Sequence, residues 1–447
     1  MDLLRVRGQQ LTTSSFKHDA LGIFSRTIAE IDIPAVMSQK LARSGSQITV
    51  GTETIELANF DRIHAVSIGK ASVQMARGLA GVLGNRAIDG MIVAPEYALE
   101  EVAGFRLFGA AHPLPNLGSL VAARKVLDLL AEANRDRSII FFLLSGGGSS
   151  MLELPLDPNL SLSDLRVIYQ LLIECGAGIE EINTVRKHLS AIKGGRLAAA
   201  APKAMKVTLA VSDVAAGREF ALASGPTLPD PTTPRDALRV IECHRLRDKM
   251  PSAVCSWLEA RSDVEKFPED GVFDRTRFAM ILNEADLFSH AARAAEAEGF
   301  VAVCDNSTDD WPVNDAANYL ISELSVLRAR NPGQRVALIA GGELSSPVIG
   351  DGVGGRNSAF GLDCVKKIAG RNITVLSAGT DGRDGSSPAA GAVADGNTFD
   401  RATLAGLDPD QFYLESDSYH FFHALDDHID IGPTGNNLRD FRILLTE

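Results

Sequence analysis

The chain has 447 residues, 45% of them hydrophobic and 23% charged, which is the balance of a globular protein too long for one ordinary core. Its formal net charge of -13 argues against a broad nucleic-acid surface, because phosphate backbones require a basic face. No stretch approaches the ~20 apolar residues of a membrane span, and the N-terminus lacks the apolar core of a secretory signal. We therefore expect a cytoplasmic protein, with its five scattered cysteines as buried free thiols.

Short apolar runs alternate with longer amphipathic segments along the chain. The predicted strands, in chain order, are 64–68, 91–94, 106–111, 138–144, 206–211, 277–282, 300–304, 335–340 and 373–378. The clearest predicted helices are 117–134, 161–175, 285–298 and 312–330. Most of these strands are continuously apolar, as strands covered on both faces are. The alternation predicts an α/β fold with mostly parallel sheets flanked by helices.

A change in composition divides the chain. The stretch 224–234 is rich in proline and threonine, and polar segments continue to about residue 275. We predict an N-terminal α/β domain over 18–250 and a C-terminal α/β domain over 275–447. In open parallel sheets, ligands bind beyond the carboxyl ends of the strands, so the residues that follow each strand are the candidates for a site.

The residues after the first strand, Gly69–Lys70, superficially suggest a Walker A loop. The first glycine of that motif would fall at His64, however, and Ala71 stands where serine or threonine is required. Lys70 could still reach a phosphate as a point charge. Taken alone, the pattern favours an ordinary surface lysine.

A glycine-rich run, SGGGSS at 145–150, follows the apolar strand 138–144. Glycines let backbone N–H groups approach an anion without a clash from a Cβ atom, and serines add hydroxyl donors. We interpret the run as a cradle for a phosphate or an oxyanion, and the alternative is a tightly packed turn. The candidate residues of this cradle are Ser145, Gly146, Gly147, Gly148 and Ser149.

The segment 180–197 predicts an amphipathic helix that ends at Gly194–Gly195. Its polar side carries Asn183 and Arg186, and arginine can bind a carboxylate or a phosphate with two parallel hydrogen bonds. For these two residues, ligand binding and a solvated face remain equally open. For Lys187 we favour the solvated face.

A second glycine-rich run, GDGVGG at 350–355, satisfies the GxGxxG pattern of dinucleotide-binding proteins. The strand predicted before it, 347–349, is short, and no acid follows at a clear strand end, so the pattern is weak evidence. The same glycines, including Gly354 and Gly355, would suit a loop that covers phosphates and presents Arg356 to them.

Carboxylates follow two further strands. Asp213 and Asp381 occupy positions where Mg²⁺ is commonly held, although structural roles are equally open. Asp384 precedes a glycine, which favours a turn. His112 and His188 are interpreted as structural histidines. The sequence contains no HExxH motif, no Cys/His cluster and no GxSxG motif.

Together these motifs resemble those of the class II glycerate kinases, the glycerate 2-kinase family, whose C-terminal part is called the MOFRL domain. The resemblance runs from about residue 18 to 445, and its motifs are SIGKA, HPLPN, LLSGGGSS, INTVRKHLSAIKGGRLA, ASGPTLPDPTT, GGRN, GTDGRDG and GPTGNN. It implies a Rossmann-like N-terminal domain, a C-terminal domain and an active site in the cleft between them. It also implies transfer of the ATP γ-phosphate to the 2-hydroxyl of D-glycerate, with Mg²⁺ or another divalent cation.

The resemblance assigns residues by position. Lys70 and Arg356 fall on the functionally important lysine and arginine of the family. Asp213, Glu343 and Asp381 are the implied metal ligands, and Asp213 is our candidate general base. The other family positions expected near the cleft are Gly146, Gly147, Ser149, Asn183 and Arg186.

The sequence departs from the family pattern at two acidic positions, which are Gly217 and Ala359 here. Two alternatives therefore accompany the kinase: an NAD(P)H-dependent hydroxypyruvate reductase, a name that some members of the family carry, and a nucleotide-binding homologue with an altered substrate. In each case the partners are small molecules, and neither nucleic acid nor a membrane is expected. The oligomeric state stays open, with a homodimer as one option.

Overall fold

A computed structural model describes residues 16–212, 214, 219–261, 271–436 and 438–447. The strands are β1 (Arg43–Ser44), β2 (Gln47–Val50), β3 (Glu53–Glu56), β4 (Arg62–Ile68), β5 (Ile88–Pro95), β6 (Phe105–Ala110), β7 (Ser138–Leu144), β8 (Met205–Val211), β9 (Thr276–Leu282), β10 (Val301–Asp305), β11 (Val336–Gly341), β12 (Ile373–Gly379), β13 (Gly391–Asp395), β14 (His428–Ile429) and β15 (Asp440–Thr446).

The helices are α1 (Lys17–Glu30), α2 (Ile33–Lys40), α3 (Ser72–Leu83), α4 (Leu117–Ala133), α5 (Gly148–Met151), α6 (Leu162–Glu174), α7 (Ile179–Leu189), α8 (Arg196–Ala199), α9 (Pro234–Cys243), α10 (Ser252–Glu259), α11 (Glu284–Ala297), α12 (Val313–Arg330), α13 (Arg356–Lys367), α14 (Thr398–Leu404), α15 (Pro409–Leu414) and α16 (Ser418–Ala424). Short 3-10 helices cover Leu57–Asn59, Glu96–Ala98 and Glu219–Ser224.

The chain forms two compact units. The first unit is Ile33–Asn283, and the second is Glu284–Glu447 together with the chain before Ile33. Each unit contains a six-stranded sheet with helices packed on it, so the predicted pair of α/β domains is confirmed.

The sheet of the first unit is parallel throughout, in the order β6-β5-β4-β7-β8-β9. Its central strand, β7, reads SIIFFLL and is buried along its whole length, as the continuous apolar run predicts. Successive strands are added in opposite directions from β4 and β7, so the order reverses between these two neighbours. Such a reversal is where open α/β sheets bind ligands.

Two smaller layers complete the first unit. An antiparallel meander is formed by β1, β2 and β3. A separate apolar cluster joins α6, α7, α9 and α10 through residues such as Leu172, Val185, Ile241 and Leu258. Because α9 and α10 pack on α7, the polar stretch after residue 224 belongs to the first unit and does not separate two domains.

The sheet of the second unit has the order β10-β11-β15-β12-β13-β14 and is mixed. Only β10 and β11 pair in parallel, and every other neighbour is antiparallel. The C-terminal strand β15 lies between β11 and β12 and begins where they end, with Phe441 opposite Gly341 and Asp440 opposite Gly379. The residues after β11 and β12 therefore meet the start of β15.

The N-terminal helix α1 belongs to the second unit, which differs from the predicted boundary at residue 18. The ammonium group of Lys17 donates to both carboxylate oxygens of Asp427, at 2.9 and 2.8 Å. The ring of Phe24 stacks on that of Phe441, with centroids 5.3 Å apart. These long-range contacts could not be read from local sequence patterns.

All nine predicted strands and the four helices predicted most clearly are present, with ends that differ by at most three residues. The strand 277–282, assigned to the C-terminal domain, is instead the edge strand β9 of the first unit. The helix predicted over 180–197 ends at Leu189, well before the glycine pair. The stretch 347–349 is not a strand, and Val348 is 84% exposed.

All five cysteines are free, as expected, but only Cys255 and Cys364 are buried. Cys243 and Cys304 are exposed, so the expectation of buried thiols was wrong for them. Among the residues that the structure describes, no helix is both long enough and apolar enough to cross a membrane.

Candidate active site

Two glycine loops meet at the point where the strand order of the first unit reverses. Ile68, the last residue of β4, lies opposite Leu144, the last residue of β7, so the segments that follow them run side by side. The backbone N–H of Lys70 donates to the carbonyl oxygen of Gly146 at 2.9 Å. The N–H of Ala71 donates to the Ser145 hydroxyl at 3.0 Å. The two loops therefore form one hydrogen-bonded structure that carries Lys70.

Gly69 has a φ of +116°, and this close approach requires a glycine. A Cβ atom there would lie 2.3 Å from the Ser145 hydroxyl oxygen and 2.5 Å from the Ser145 carbonyl oxygen. Any side chain would therefore push the loops apart. The lack of a side chain at Gly69 therefore allows the loop after β4 to pack closely against the loop at 145–150.

The backbone N–H groups of Gly146 and Gly147 are the available donors of the loop. Within the described part of the chain, neither N–H donates to any group. Gly147 adopts a φ of +81° immediately before the short helix α5. Successive N–H groups in such a turn can form a concave surface for an anion, and anion binding by this loop stays a prediction.

The serine hydroxyls of the loop, in contrast, are used inside the fold. The Ser145 hydroxyl donates to the carbonyl oxygen of Ile68 at 3.2 Å and is fully buried. The Ser149 hydroxyl lies 2.7 Å from that of Ser224, and the Ser150 hydroxyl donates to Gly147 at 3.3 Å. Backbone donors, more than hydroxyls, are therefore what this loop can offer to a ligand.

The segment 221–225 supports the loop from one side. Ala223 and Ser224 have φ values of +49° and +60°, a left-handed conformation that costs a non-glycine residue energy. A Cβ on Gly148 would lie 3.0 Å from the Cβ of Ala223. The Ser224 hydroxyl donates to the side-chain oxygen of Asn183 at 2.8 Å. Asn183 therefore connects α7 to the loop, and ligand binding by it stays a prediction.

The ring of His112 lies beside the glycine loop, where the charges of two cations act on it. A Cβ on Gly147 would lie 3.2 Å from the Cδ2 atom of His112. The side chain of His112 is exposed at the surface, yet loss of solvation beside neighbouring protein atoms, and then the positive charges of Lys70 and Arg186, lower its pKa to about 4. The imidazole is therefore neutral at neutral pH, and the positive charge at this edge comes from Lys70 and Arg186.

Arg186 is buried, with 8% of its surface exposed, and its guanidinium stacks on the ring of Tyr169 at 4.0 Å. Its pKa is lowered because burial disfavours the charged form. Lys187 is also buried and pairs with Asp230 at 3.4 Å, so the solvated face that we favoured for Lys187 was wrong. Both cations of α7 therefore point inward, and Lys187 meets the carboxylate of Asp230 there.

In the second unit, Arg356 is the first residue of α13 and is held by two carboxylates. Its Nε donates to Asp440, and its Nη1 donates to Glu343 at 2.9 Å. Burial tends to lower the pKa of Arg356, but the charges of Asp440 and Glu343 outweigh burial and raise it above the usual value. The guanidinium is therefore fixed in place and fully charged.

The glycines before Arg356 have a structural use for their N–H groups. The N–H of Gly354 donates to the Ser386 hydroxyl at 3.2 Å, and that of Gly355 donates to the Ser358 hydroxyl at 3.3 Å. A Cβ on Gly352 would lie 2.5 Å from the Cβ of Asp417. This glycine run is thus explained by close packing, while phosphate binding by Gly354 and Gly355 stays a prediction.

Asp384 caps the start of α13. Its carboxylate accepts from the N–H groups of Asn357 and Ser358 at 2.9 and 2.8 Å, and burial raises its pKa to about 6. The structural role that we favoured for Asp384 is consistent with these bonds, although the feature is a helix cap and not a turn alone.

The candidate metal ligands that the structure describes, Glu343 and Asp381, have different neighbours. Glu343 pairs with Arg356. A Cβ on Gly379 would lie 3.1 Å from a carboxylate oxygen of Asp440 and 3.2 Å from one of Asp381, so these two acids are neighbours. Asp213 and the departure at Gly217 lie outside the described residues. Within the described ranges, no three His, Cys, Asp or Glu side chains are grouped to hold a metal ion.

Sequence reasoning missed three residues of these regions. Asp440 opens β15, whose apolar run FRILL is a strand signal, but only strand pairing places it beside Arg356. Glu153 follows the glycine loop closely and Tyr169 lies on the next helix, α6, but no local pattern showed that both side chains are buried, with 1% and 2% of their surface exposed. The predicted cleft between the domains stays a prediction.

Comparison with known sequences gives two family matches. The sequence model described as "Domain of unknown function (DUF4147)" matches residues 19–259, and that of the MOFRL family matches residues 336–440. The chain is similar to a D-glycerate 2-kinase of Thermotoga maritima, with 35% identity over 88% of this chain and 92% of that protein. It is also similar to a putative hydroxypyruvate reductase of Agrobacterium vitis, with 34% identity over 86% of this chain and 87% of that protein.

A solved structure extends the similarity to three dimensions. The crystal structure of a glycerate kinase from Thermotoga maritima has a TM-score of 0.82 and 32% identity. The superposition covers 97% of this chain and 99% of that one.

Proposed function

Because this chain belongs to the glycerate 2-kinase family, we propose that it transfers the γ-phosphate of ATP to the 2-hydroxyl of D-glycerate, giving 2-phosphoglycerate and ADP. The family membership rests on similarity over nearly the whole length of the chain. The similar proteins from Thermotoga maritima are kinases by name, which favours ATP as the phosphate donor and a small hydroxy acid as the acceptor.

The observation that carries the proposal is the loop at 145–150. It follows the central strand at the reversal of strand order, and the N–H groups of Gly146 and Gly147 have no acceptor among the residues described. Lys70 is bonded to the same loop through its backbone. Phosphoryl transfer requires little covalent chemistry from the protein, and depends on positioning and on neutralising charge on the transferred group. Unused N–H groups beside a lysine meet that requirement.

We assign Lys70 and Arg356 to charge neutralisation. Arg356 is already oriented by Asp440 and Glu343, so it would need little reorganisation when the reaction begins. Lys70 is partly exposed at the end of its strand, where a point charge can follow a phosphate. Asp213 is assigned as the base that accepts the proton of the attacking hydroxyl, on the family position alone.

A divalent cation is part of the proposal, since Mg²⁺ bound to ATP reduces the charge on its phosphates. Proteins usually supply one or two carboxylates to such an ion and leave the remaining ligands to phosphates and water. Asp213, Glu343 and Asp381 are the candidates, and one oxygen of Glu343 already accepts from Arg356. The described residues do not form a complete protein site for the ion, so we derive no step through it.

The test is ADP release with ATP and Mg²⁺ across a panel of D-glycerate, L-glycerate, glycerol and hydroxypyruvate. We expect release to depend on D-glycerate and to be absent without an acceptor. Equal rates with every acceptor, or none with D-glycerate, would contradict the proposed reaction.

The hydroxypyruvate reductase remains a second candidate because a relative carries that name. A dinucleotide fingerprint requires a strand before the first glycine, and the residues before Gly350 form none. The first three glycines of that run pack against residues 415–418, and Gly355 packs against Asp384. Incubation with NADH and hydroxypyruvate should therefore leave the absorbance of NADH unchanged.

A further inference from the structure

Arg186 presents an unusual electrostatic situation. Its side chain is more than nine-tenths buried, and its Nε is buried without a hydrogen-bond partner. Throughout the described residues, no carboxylate forms an ion pair with it. Burying an unpaired charge costs several kcal/mol, so a fold retains such a group only where something else compensates the charge.

The nearby carboxylate of Glu153 cannot compensate the charge of Arg186, because other groups already use both of its oxygens. Glu153 accepts from the Ser190 hydroxyl at 2.5 Å and from the N–H of Leu154 at 2.9 Å through one oxygen. Its other oxygen accepts from the ammonium of Lys193 and from the hydroxyl of Tyr169. Both oxygens are therefore occupied, and Lys193 already neutralises the charge of Glu153.

The other cations of this segment have their own acceptors. Lys187 pairs with Asp230. The guanidinium of Arg196 donates to the carbonyl oxygens of Lys187 and Lys193 at 2.6 and 3.2 Å. Arg186 is thus the guanidinium of this buried group that makes no hydrogen bond within the described residues.

Tyr169 fixes where the guanidinium of Arg186 lies. The stacking distance is 4.0 Å, and the tyrosine ring is itself buried. The Tyr169 hydroxyl lies within hydrogen-bond distance of the Glu153 carboxylate and, at 3.2 Å, of the carbonyl oxygen of Ser149 in the glycine loop. Stacking occupies one face of the guanidinium and leaves its N–H edge to a planar acceptor.

The glycine loop lies close to the guanidinium of Arg186. Tyr169, on which the guanidinium stacks at 4.0 Å, donates from its hydroxyl to the carbonyl oxygen of Ser149 in that loop at 3.2 Å. Arg186 is also near enough for its positive charge to act on His112, whose ring lies beside Gly147. The loop that carries the unused N–H groups is therefore a neighbour of Arg186. A carboxylate would compensate the charge of Arg186, because it carries one negative charge and can accept two parallel hydrogen bonds from a guanidinium.

Given the proposed kinase activity, on which this inference rests, we propose that Arg186 binds the carboxylate of the phosphoryl acceptor and so determines the preference for hydroxy acids over neutral alcohols. Tyr169 is a positioning residue, which acts by holding the guanidinium. A nucleotide phosphate would use the same chemistry, and the experiment below separates the two sources.

The principal variant is Arg186→Gln, assayed with ATP and either D-glycerate or D-glyceramide, which replaces the carboxylate by a neutral amide. We expect kcat/KM for D-glycerate to fall by roughly 100-fold or more, because charged hydrogen bonds are lost. The value for D-glyceramide should stay within about threefold of wild type, and so should the KM for ATP. Arg166→Ala, which removes an exposed arginine from α6, is the matched control and should change neither.

Variants of Tyr169 test the positioning role. Tyr169→Phe keeps the stacked ring and should retain the preference for D-glycerate over D-glyceramide within a few-fold. Tyr169→Leu removes the stacking, and we expect most of its effect in the KM for D-glycerate, with kcat changing less. Equal losses with both acceptors would indicate a purely structural role and overturn the assignment.

Equilibrium binding of D-glycerate provides a readout without turnover. Arg186→Lys keeps the buried charge and therefore the fold, and should weaken the binding of D-glycerate by about tenfold because one donor replaces a fork. Unchanged binding by Arg186→Lys and an unchanged acceptor preference in Arg186→Gln would overturn the proposal. A rise confined to the KM for ATP would assign Arg186 to the nucleotide instead and would also overturn it.

The failure of this inference is distinguishable from the failure of the proposed function. If wild type releases no ADP with D-glycerate, the proposed function fails, and the inference fails with it. If wild type is active and only the acceptor preference of the variants is unchanged, the inference alone fails.

Discussion

The two glycine-rich loops look similar as sequence and differ in what they leave available. The N–H groups of Gly146 and Gly147 have no acceptor among the described residues, and Arg186 nearby has no carboxylate. The N–H groups of Gly354 and Gly355 are taken by serine hydroxyls, and Arg356 next to them is held by two carboxylates.

Because the two loops differ in this way, a glycine run next to a cation does not by itself identify an anion site. In the first unit, the polar groups are left for a ligand, so binding must supply what the fold omits. In the second unit, the fold satisfies its own groups, so Arg356 is fixed before any ligand arrives. Substitutions should therefore affect turnover and stability differently in the two loops.

Replacing Lys70 should have the largest effect. We expect Lys70→Ala to lower kcat by ~10³-fold or more, because it removes charge that neutralises the transferred group. The free energy of unfolding should change by less than ~1 kcal/mol, since the backbone bond to Gly146 does not require the side chain. Steady-state assays and denaturant melts measure both. Lys125→Ala, an exposed lysine on α4, is the control, and near wild-type turnover in Lys70→Ala would remove Lys70 from the mechanism.

Replacing Arg356 should reduce turnover and stability together, which distinguishes it from Lys70. We expect Arg356→Ala to lower kcat by ~10²- to 10³-fold and the free energy of unfolding by about 2 kcal/mol, because Asp440 is left buried without a partner. This loss in the free energy of unfolding is modest because 35% of the arginine side chain is exposed, and solvent screens the ion pair. Adding Asp440→Asn should restore part of the stability and none of the turnover. An unchanged melting curve for the single variant would contradict the pairing.

Gly69→Ala tests the close approach of the two loops. The new Cβ would overlap Ser145, and the φ of +116° is unfavourable for alanine, so we expect a loss of roughly 3 kcal/mol or more in the free energy of unfolding. Gly81→Ala is the matched control, because the new Cβ would meet nothing within 4 Å. Gly81 lies in α3, where alanine is more favourable than glycine by up to ~1 kcal/mol. Equal stability of both variants would mean that the loops can separate freely.

His112 gives a smaller effect that depends on pH. Its pKa of about 4 lies below the ordinary 6.5, so between these values the unfolded chain takes up a proton that the folded chain does not. His112 therefore makes the protein less stable as the pH falls from 6.5 towards 4, and it has no such effect above 6.5. Proton NMR titration should show its imidazole neutral at pH 5.5, with the resonance assigned from its absence in His112→Gln. A midpoint near 6.5 would mean that neither loss of solvation nor the positive charges of Lys70 and Arg186 lower the pKa of His112.

Local patterns were sufficient for the elements and for where to search. The continuously apolar runs gave the strands correctly, and the rule on strand ends led directly to Gly69–Lys70 and to the loop at 145–150. The mixed order of the second sheet could not be obtained this way. The last strand of the chain, β15, lies between β11 and β12 and pairs antiparallel with both.

The energetics of the side chains were also beyond local patterns. The local sequence predicts an exposed side chain for Lys187, whereas in the structure this side chain is buried and pairs with the buried carboxylate of Asp230. Arg186 and Arg356 are indistinguishable as residue types, and only tertiary contacts show that one is paired and the other is not.

The most direct test of the account is phosphorus NMR of the product formed from ATP and D-glycerate in the presence of Mg²⁺. The account predicts that the phosphoryl group appears on the 2-hydroxyl, as 2-phosphoglycerate, with ADP in equal amount. Formation of 3-phosphoglycerate alone, or ADP without a phosphorylated hydroxy acid, would contradict it.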